Sequence, residues 1–161
     1  MNVVKRTAPG AVPAAGIEAG GLVKHQIFVV EDHADLREAL TRFLNEQPDL
    51  EICGAAASGA EALAALVGAR AEIVIVDLSM PDFGGMELIK RLRKKDPDVR
   101  LLIFSAHDDA AYAEEALEAG ALGYVSKMNP QELLVAIQQV LRNEIYLSDG
   151  MRNQLASRAA S

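Results

Sequence analysis

Five polar side chains with complementary chemistry follow apolar runs in this sequence: Glu31, Asp32, Asp77, Ser105 and Lys127. If those runs are parallel strands, their carboxyl ends meet at one edge of an open sheet, so the five groups should share a crevice. Three carboxylates within about 4 Å repel by roughly 4 kcal/mol per pair at an effective dielectric constant near 20, so a cation must offset them. Mg²⁺ suits such an oxygen site, which keeps waters and shares a phosphate ligand. A lysine and a serine hydroxyl would add contacts to a phosphoryl oxygen.

The spacing of apolar residues predicts the strands that position these groups. Residues 27–30, 73–76 and 101–104 are apolar without interruption, as expected of strands buried on both faces. Residues 50–56 are mixed, as expected of a strand at a sheet edge, and residues 123–126 give the fifth strand. Strands that alternate with helices predict an α/β fold with a doubly wound, five-stranded parallel sheet of order 2-1-3-4-5, which is flavodoxin-like.

Apolar spacing and capping residues predict five helices. The first has an apolar stripe from Leu36 to Leu44. Ser58 and Glu61 form a capping-box pattern that opens the second. Asn129 is predicted to cap the fifth helix, with a proline at its first position. The third and fourth are predicted to span about 86–95 and 109–119.

Length and composition predict one domain with extra chain at both ends. The protein has 161 residues, a formal net charge of -7 and one cysteine, Cys53. A single cysteine excludes an internal disulfide and fits a reducing compartment, so we predict a cytoplasmic protein. The acidic body argues against direct nucleic-acid binding, and no apolar run approaches the length of a membrane span. Residues 1–24 are interpreted as a disordered leader, because their alanines, glycines and prolines cannot bury enough surface to offset the entropy of ordering. The glycines and prolines also interrupt the apolar run that a signal peptide needs.

Several motifs together resemble the receiver domain of bacterial two-component response regulators. They are Glu31-Asp32, Asp77-Leu78-Ser79-Met80-Pro81 with Gly85 beyond it, Phe104-Ser105-Ala106, and Gly120-Ala121 leading to Gly123-Tyr124-Val125-Ser126-Lys127. On this basis the receiver domain is expected over residues 25–147, and residues 148–161 are interpreted as a linker or tail.

The resemblance implies a phosphorelay function. Asp77 would be the phosphoacceptor, attacking the phosphohistidine of a partner histidine kinase in a Mg²⁺-dependent in-line transfer. Asp32 and Asp77 would hold the ion directly and Glu31 mainly through water, and the backbone carbonyl of Ser79 would complete the protein ligands. Such a protein signals through contacts and is not an enzyme.

The resemblance also implies a switch. Ser105 and Lys127 would bind the phosphoryl oxygens, and Tyr124 would turn inward as Ser105 moves. The surface formed by helix four, strand five and helix five would then change its partners. Ser79 and His107 occupy positions that tune the lifetime of the phosphoryl group.

The carboxyl-terminal half resembles the subgroup that carries a helix-turn-helix DNA-binding domain. Lys127 is not followed by proline, and residues 145–148 match that subgroup. The chain is therefore either part of a transcription factor or a stand-alone receiver. Gly84 departs from the common pattern, in which an acid precedes Gly85, so one loop contact is expected to be absent.

Two other functions fit part of this pattern. Asp77 could be the nucleophile of a phosphatase acting on small substrates, since that chemistry also uses a strand-end Asp with Mg²⁺. Such hydrolases usually need a second acid two residues beyond the nucleophile, and this chain has Ser79 there. A phosphate-insensitive interaction module is disfavoured by the complete set of acids, serine and lysine. On helix four, we hypothesise that a face of small residues supports a homodimer formed on phosphorylation: Ala110, Ala111 and Ala113.

Overall fold

A five-stranded parallel sheet forms the centre of the computed structural model, which describes residues 23–160. The strands are β1 His25–Val30, β2 Leu50–Ala56, β3 Ile73–Val76, β4 Arg100–Ser105 and β5 Gly123–Ser126. Their order is β2-β1-β3-β4-β5 and every neighbouring pair is parallel, which confirms the predicted topology. The leader predicted over residues 1–24 lies outside the described residues except for its last two.

The helices cover both faces of the sheet. They are α1 Ala34–Asn45, α2 Gly59–Leu66, α3 Gly84–Lys95, α4 Ala110–Ala119, α5 Leu133–Leu141 and α6 Asp149–Ala160. Buried residues of α1 and α5 pack with Ile27 and Val29 on one face, whereas α2, α3 and α4 pack with Phe28 and Val30 on the other. Because side chains alternate along a strand, β1 contributes residues to both layers of the core. In the described part of the chain, no helix has the length and hydropathy needed to cross a membrane.

The ends of the helices match the sequence prediction at two places and differ at a third. Ser58 accepts a hydrogen bond from the Glu61 amide at 3.1 Å, and Gly120 ends α4 with φ of 115°. Asn129, predicted to cap the fifth helix, makes no side-chain cap there; a 3-10 turn over Pro130–Glu132 precedes α5 instead. The physical reason is that the Glu132 amide, which a side-chain cap from Asn129 would bind, already donates to the Asn129 backbone carbonyl at 3.1 Å.

A sixth helix, α6, lies in the segment predicted as a linker or tail from residue 148 onward. The hydroxyl of Ser148 accepts from the Met151 amide at 3.1 Å, and the Met151 side chain is 7% exposed within the core. Arg158 pairs with Glu114 on α4, with Nη2 and Oε1 2.8 Å apart. The end of the described chain is therefore a helix that packs on α4.

The small-residue face hypothesised on α4 is largely buried. Ala110 and Ala113 are 2% and 0% exposed, because the helical repeat places them on the core side with Ala116. Of the three alanines named for a homodimer, Ala111 alone is exposed. The neighbouring Tyr112 is 40% exposed. The buried Ala110 and Ala113 are therefore not available to a dimer through α4, whereas Ala111 and Tyr112 are.

A histidine and a glutamate connect β1 to the residue before β3. The His25 Nδ1 atom lies 3.0 Å from Glu72 Oε1, and Glu72 Oε2 accepts from the Gln26 amide at 2.9 Å. The hydrogen bond to Glu72, together with the negative charges of Glu72 and Asp49, raises the pKa of His25 against the effects of burial and Arg100. Burial opposes the charge of Glu72, but the hydrogen bonds from His25 and Gln26 hold its pKa below the usual value.

This pair should make stability depend on pH. His25 contributes fully to the free energy of unfolding below its ordinary pKa of 6.5. This contribution is lost as the pH rises through the raised pKa of His25 in the folded protein. Glu72 contributes fully to the free energy of unfolding above its ordinary pKa of 4.5. This contribution is lost as the pH falls through the lowered pKa of Glu72 in the folded protein. His25→Ala should therefore cost roughly 0.5 kcal/mol more unfolding free energy at about pH 6 than at about pH 9. Urea denaturation measures this difference, which should disappear in a Glu72→Gln background. An equal cost at both pH values would contradict the prediction.

Candidate metal and phosphoryl site

The register of the sheet brings the first and third strand ends together. Val30 of β1 pairs with Val76 of β3, which in turn pairs with Ile103 of β4. The Asp77 amide donates to the Val30 carbonyl at 3.0 Å. Glu31 and Asp77 therefore leave the sheet side by side, although 46 positions separate them in the sequence.

The three predicted acids form one cluster. Ligand oxygens of Glu31, Asp32 and Asp77 all lie within 4.8 Å of one another. Glu31 and Asp77 are 2% and 4% exposed, whereas Asp32 is exposed to solvent. Backbone amides orient the buried pair, since Glu31 Oε2 accepts from His33 at 3.1 Å and Asp77 Oδ1 from Ser79 at 3.2 Å. The cluster thus has two fixed carboxylates and one open side.

Lys127 reaches into this cluster from the end of β5. Its Nζ lies 2.8 Å from Glu31 Oε1 and 3.2 Å from Asp77 Oδ2. Burial disfavours the ammonium, but the hydrogen bond to Glu31 and the charges of both acids raise the pKa of Lys127. Burial, helped by the charge of Asp77, raises the pKa of Glu31 even though Lys127 and the His33 amide donate to it. The carboxylates are therefore only partly compensated by the lysine.

The residues present fit a hard divalent cation. The donors are all carboxylate oxygens, and one ammonium cannot neutralise three of them. The exposed carboxylate of Asp32 leaves room for water ligands, which Mg²⁺ keeps in protein sites. When bound, the ion would supply positive charge next to Asp77.

Comparison with known proteins identifies the family. A family model described as the response regulator receiver domain matches residues 27–138. This chain belongs to that family. The receiver is 37% identical over 132 residues to the transcriptional regulatory protein UhpA of Escherichia coli, an alignment that covers 81% of this chain and 66% of the relative. It is 33% identical over 134 residues to the oxygen regulatory protein NreC of Staphylococcus epidermidis, covering 82% and 62%.

A solved structure agrees with this assignment. The crystal structure of a LuxR-family two-component response regulator from an Aurantimonas species superimposes with a TM-score of 0.81 at 33% identity. That match covers 86% of this receiver and 99% of the solved chain. The receiver spans two thirds or less of the length of the curated relatives named above.

Three residues at the ends of β4 and β5 are joined by hydrogen bonds. Ser105 is fully buried, and its hydroxyl accepts from the His107 amide at 3.1 Å. The Tyr124 hydroxyl donates to the His107 carbonyl at 2.6 Å. Tyr124 is 2% exposed, and burial raises its pKa to about 12. Tyr124 is thus buried in this structure, and its inward movement on phosphorylation stays a prediction.

The two residues predicted to tune the phosphoryl lifetime contact each other. Ser79 Oγ and His107 Nε2 lie 2.9 Å apart, and the His107 ring centroid is 4.6 Å from that of Tyr112 on α4. The sequence suggested each position separately. Their contact links the loop after β3 with the loop after β4, and their kinetic role stays a prediction.

Sequence reasoning missed one polar residue near this site. Asp82, in the loop between β3 and α3, accepts hydrogen bonds from the Gly59 and Ala60 amides of α2. Asp82 therefore joins the loop after β3 to the start of α2. Its partners lie 22 and 23 positions away, so no local pattern could reveal the contact.

Gly85 allows α3 to approach the site closely. A Cβ atom there would collide with the carbonyl oxygen of Asp77. The Gly85 amide also donates to the Leu78 carbonyl at 3.0 Å. Close packing therefore requires glycine at this position of the motif, because any side chain would push the backbone of Asp77 away from α3.

Proposed function

We propose that this receiver accepts a phosphoryl group on Asp77 from the phosphohistidine of a histidine kinase, with Mg²⁺ as cofactor. One observation carries the proposal: Lys127 Nζ lies between Glu31 and Asp77, at 2.8 and 3.2 Å, beside the exposed Asp32. A buried carboxylate whose charge is only partly compensated, next to an open acidic position, suits a nucleophile that works with a cation.

The transfer needs little from the protein beyond position and charge. A carboxylate oxygen of Asp77 would form the new phosphorus–oxygen bond as the phosphorus–nitrogen bond to the kinase histidine breaks. Lys127 and the Ser105 hydroxyl would bind the transferred phosphoryl oxygens. Asp32 and Asp77 would hold Mg²⁺ directly, with Glu31 acting through water.

The backbone of the loop after β3 would take part in the cation site as well. The Ser79 carbonyl would be the remaining protein ligand of Mg²⁺. The hydrogen-bonded pair of Ser79 and His107 would then tune how long the phosphoryl group persists, because both side chains border the loops that carry Asp77 and Ser105.

Signalling would follow through the surface of α4, β5 and α5. An aspartyl phosphate adds charged acceptor oxygens, and these would bias the Ser105 and Tyr124 arrangement. We propose a cytoplasmic signalling protein that is not an enzyme and that controls transcription through an output domain outside this chain, since its relatives are named as transcriptional regulators. A homodimer formed on phosphorylation would contact Ala111 and Tyr112. The receiver, over residues 25–147, would bind neither nucleic acid nor membrane itself.

Intact mass spectrometry after incubation with acetyl phosphate tests the proposal. We expect a gain of one phosphoryl group in the presence of Mg²⁺ and no gain when a chelator removes it. An unchanged mass with Mg²⁺, at short as well as long times and also with a phosphorylated kinase domain, would overturn the proposal in favour of a phosphate-insensitive interaction module.

A further inference from the structure

The loop between β3 and α3 is tied to the start of α2 by one carboxylate. Asp82 Oδ1 accepts from the Gly59 amide at 3.2 Å and Oδ2 from the Ala60 amide at 2.8 Å. The next amide, that of Glu61, donates to Ser58 Oγ. A carboxylate is favoured at a helix N-terminus, where amides lack partners within the helix. The hydrogen bond from Ala60, followed by that from Gly59, lowers the pKa of Asp82.

An apolar contact reinforces this tie. The ring of Phe83 lies against Gly59, where a Cβ atom would overlap it. The guanidinium carbon of Arg91 lies 3.9 Å from the centroid of the same ring, and Arg91 Nε donates to Glu87 Oε2 at 3.1 Å. Phe83 thus joins α2 to α3, so the loop is held at Asp82 and Phe83 together.

The opposite end of the same loop carries the reacting groups. The Ser79 amide donates to Asp77 Oδ1 at 3.2 Å, and the Leu78 carbonyl accepts from Gly85. The segment from Ser79 to Asp82 lies between these two anchored ends, and Pro81 within it is exposed. The path of the Ser79 backbone therefore depends on where Asp82 is fastened.

We propose that Asp82 is a positioning residue for the cation site. By fastening the loop to α2, it fixes the backbone of Ser79, whose carbonyl is the proposed Mg²⁺ ligand, so the ion does not have to order that segment when it binds. This inference rests on the proposed function. Groups that orient metal ligands from outside the coordination shell typically change metal affinity by about 10- to 100-fold when they are mutated.

Magnesium titration of four variants tests this role, with NMR chemical shifts as the readout and no phosphoryl chemistry involved. Asp82→Ala should weaken Mg²⁺ binding roughly tenfold. Asp82→Asn should fall between Asp82→Ala and the parent, because an amide oxygen can still accept one of the two hydrogen bonds. Asp108→Asn is the matched control: it removes an exposed carboxylate from the loop after β4, and it should bind Mg²⁺ nearly as the parent does. Asp32→Asn should lose most of the binding.

Amide hydrogen exchange on the same samples separates the outcomes. Gly59 and Ala60 should exchange faster in Asp82→Ala than in the parent or in Asp108→Asn. If Asp82→Ala exchanges faster but binds Mg²⁺ as tightly as the parent, the contact of Asp82 with α2 is purely structural and the proposal is overturned. Unchanged exchange in Asp82→Ala would also overturn it. If the parent binds no Mg²⁺, or Asp32→Asn binds it equally well, the proposed function itself fails and the role of Asp82 fails with it. If Asp82→Ala does not fold, the Mg²⁺ affinities of Asp82→Asn and Asp108→Asn are compared instead, because each of these variants loses one negative charge. Weaker binding by Asp82→Asn than by Asp108→Asn would support the proposal, and equal binding would overturn it.

Discussion

Asp77→Asn is expected to abolish the gain of a phosphoryl group from acetyl phosphate and Mg²⁺. The asparagine oxygen carries no full negative charge, so it is a much poorer nucleophile toward phosphorus than a carboxylate. The variant should still fold, because an amide oxygen can accept from the Ser79 amide as Asp77 Oδ1 does. Intact mass at several short times measures the effect, and circular dichroism checks the fold.

Two further variants show whether the loss is specific to the nucleophile. Asp108→Asn removes an exposed carboxylate from a neighbouring loop and should gain the phosphoryl group as the parent does. Asp32→Asn keeps the nucleophile and should gain it slowly, with a higher requirement for Mg²⁺. A phosphoryl group found on Asp77→Asn, or mapped in the parent to another residue, would remove Asp77 from its proposed role.

Lys127→Met should have the second largest effect, on stability as well as on phosphoryl transfer. It keeps an aliphatic stem but removes the charge that compensates Glu31 and Asp77, which are 2% and 4% exposed. Loss of one partner of a buried ion pair costs about 3 kcal/mol of unfolding free energy, because a buried charge is left uncompensated. Urea denaturation without Mg²⁺ measures this loss. The phosphoryl uptake rate should fall roughly tenfold or more, since one charged contact to the phosphoryl oxygens disappears.

Magnesium should partly reverse the loss of stability. A cation that binds only the folded protein stabilises that protein. The gain in unfolding free energy grows with the logarithm of the ratio between the cation concentration and its dissociation constant. Because Lys127→Met removes a competing positive charge, Mg²⁺ should stabilise this variant more than the parent. Lys94→Met, at an exposed position on α3, is the control and should change neither property. If Lys127→Met were as stable as the parent without Mg²⁺, Lys127 would not be the counterion of this cluster.

The sequence alone was sufficient to predict the sheet and the edge at which the site lies. Uninterrupted apolar runs marked the central strands, and the polar residues after them marked the strand ends, because burial on both faces excludes charge until the strand leaves the sheet. The parallel topology then required Glu31, Asp77 and Lys127 to meet at one edge. The structure brings them to hydrogen-bonding distance.

Contacts between residues distant in sequence were decided only by the tertiary structure. The hydrogen bond between Ser79 and His107 joins two loops, and Asp82 joins the loop after β3 to α2. Such contacts have no periodic signal, since each depends on how neighbouring helices pack on the sheet. The same holds for the burial of Ala110 on α4.

The helix α6 shows why local pattern fails at the end of the described chain. In its sequence, only Met151 and Leu155 are large and apolar, which is too few for an apolar stripe to stand out. Packing of Met151 into the core and the pair of Arg158 with Glu114 stabilise it in the folded protein. The sequence by itself determined the strands, their order and the chemistry at their ends, because strands buried on both faces are apolar runs that end where polar residues begin. The tertiary structure decided which loops and helices hold that chemistry in place, because those contacts form only after the layers have packed.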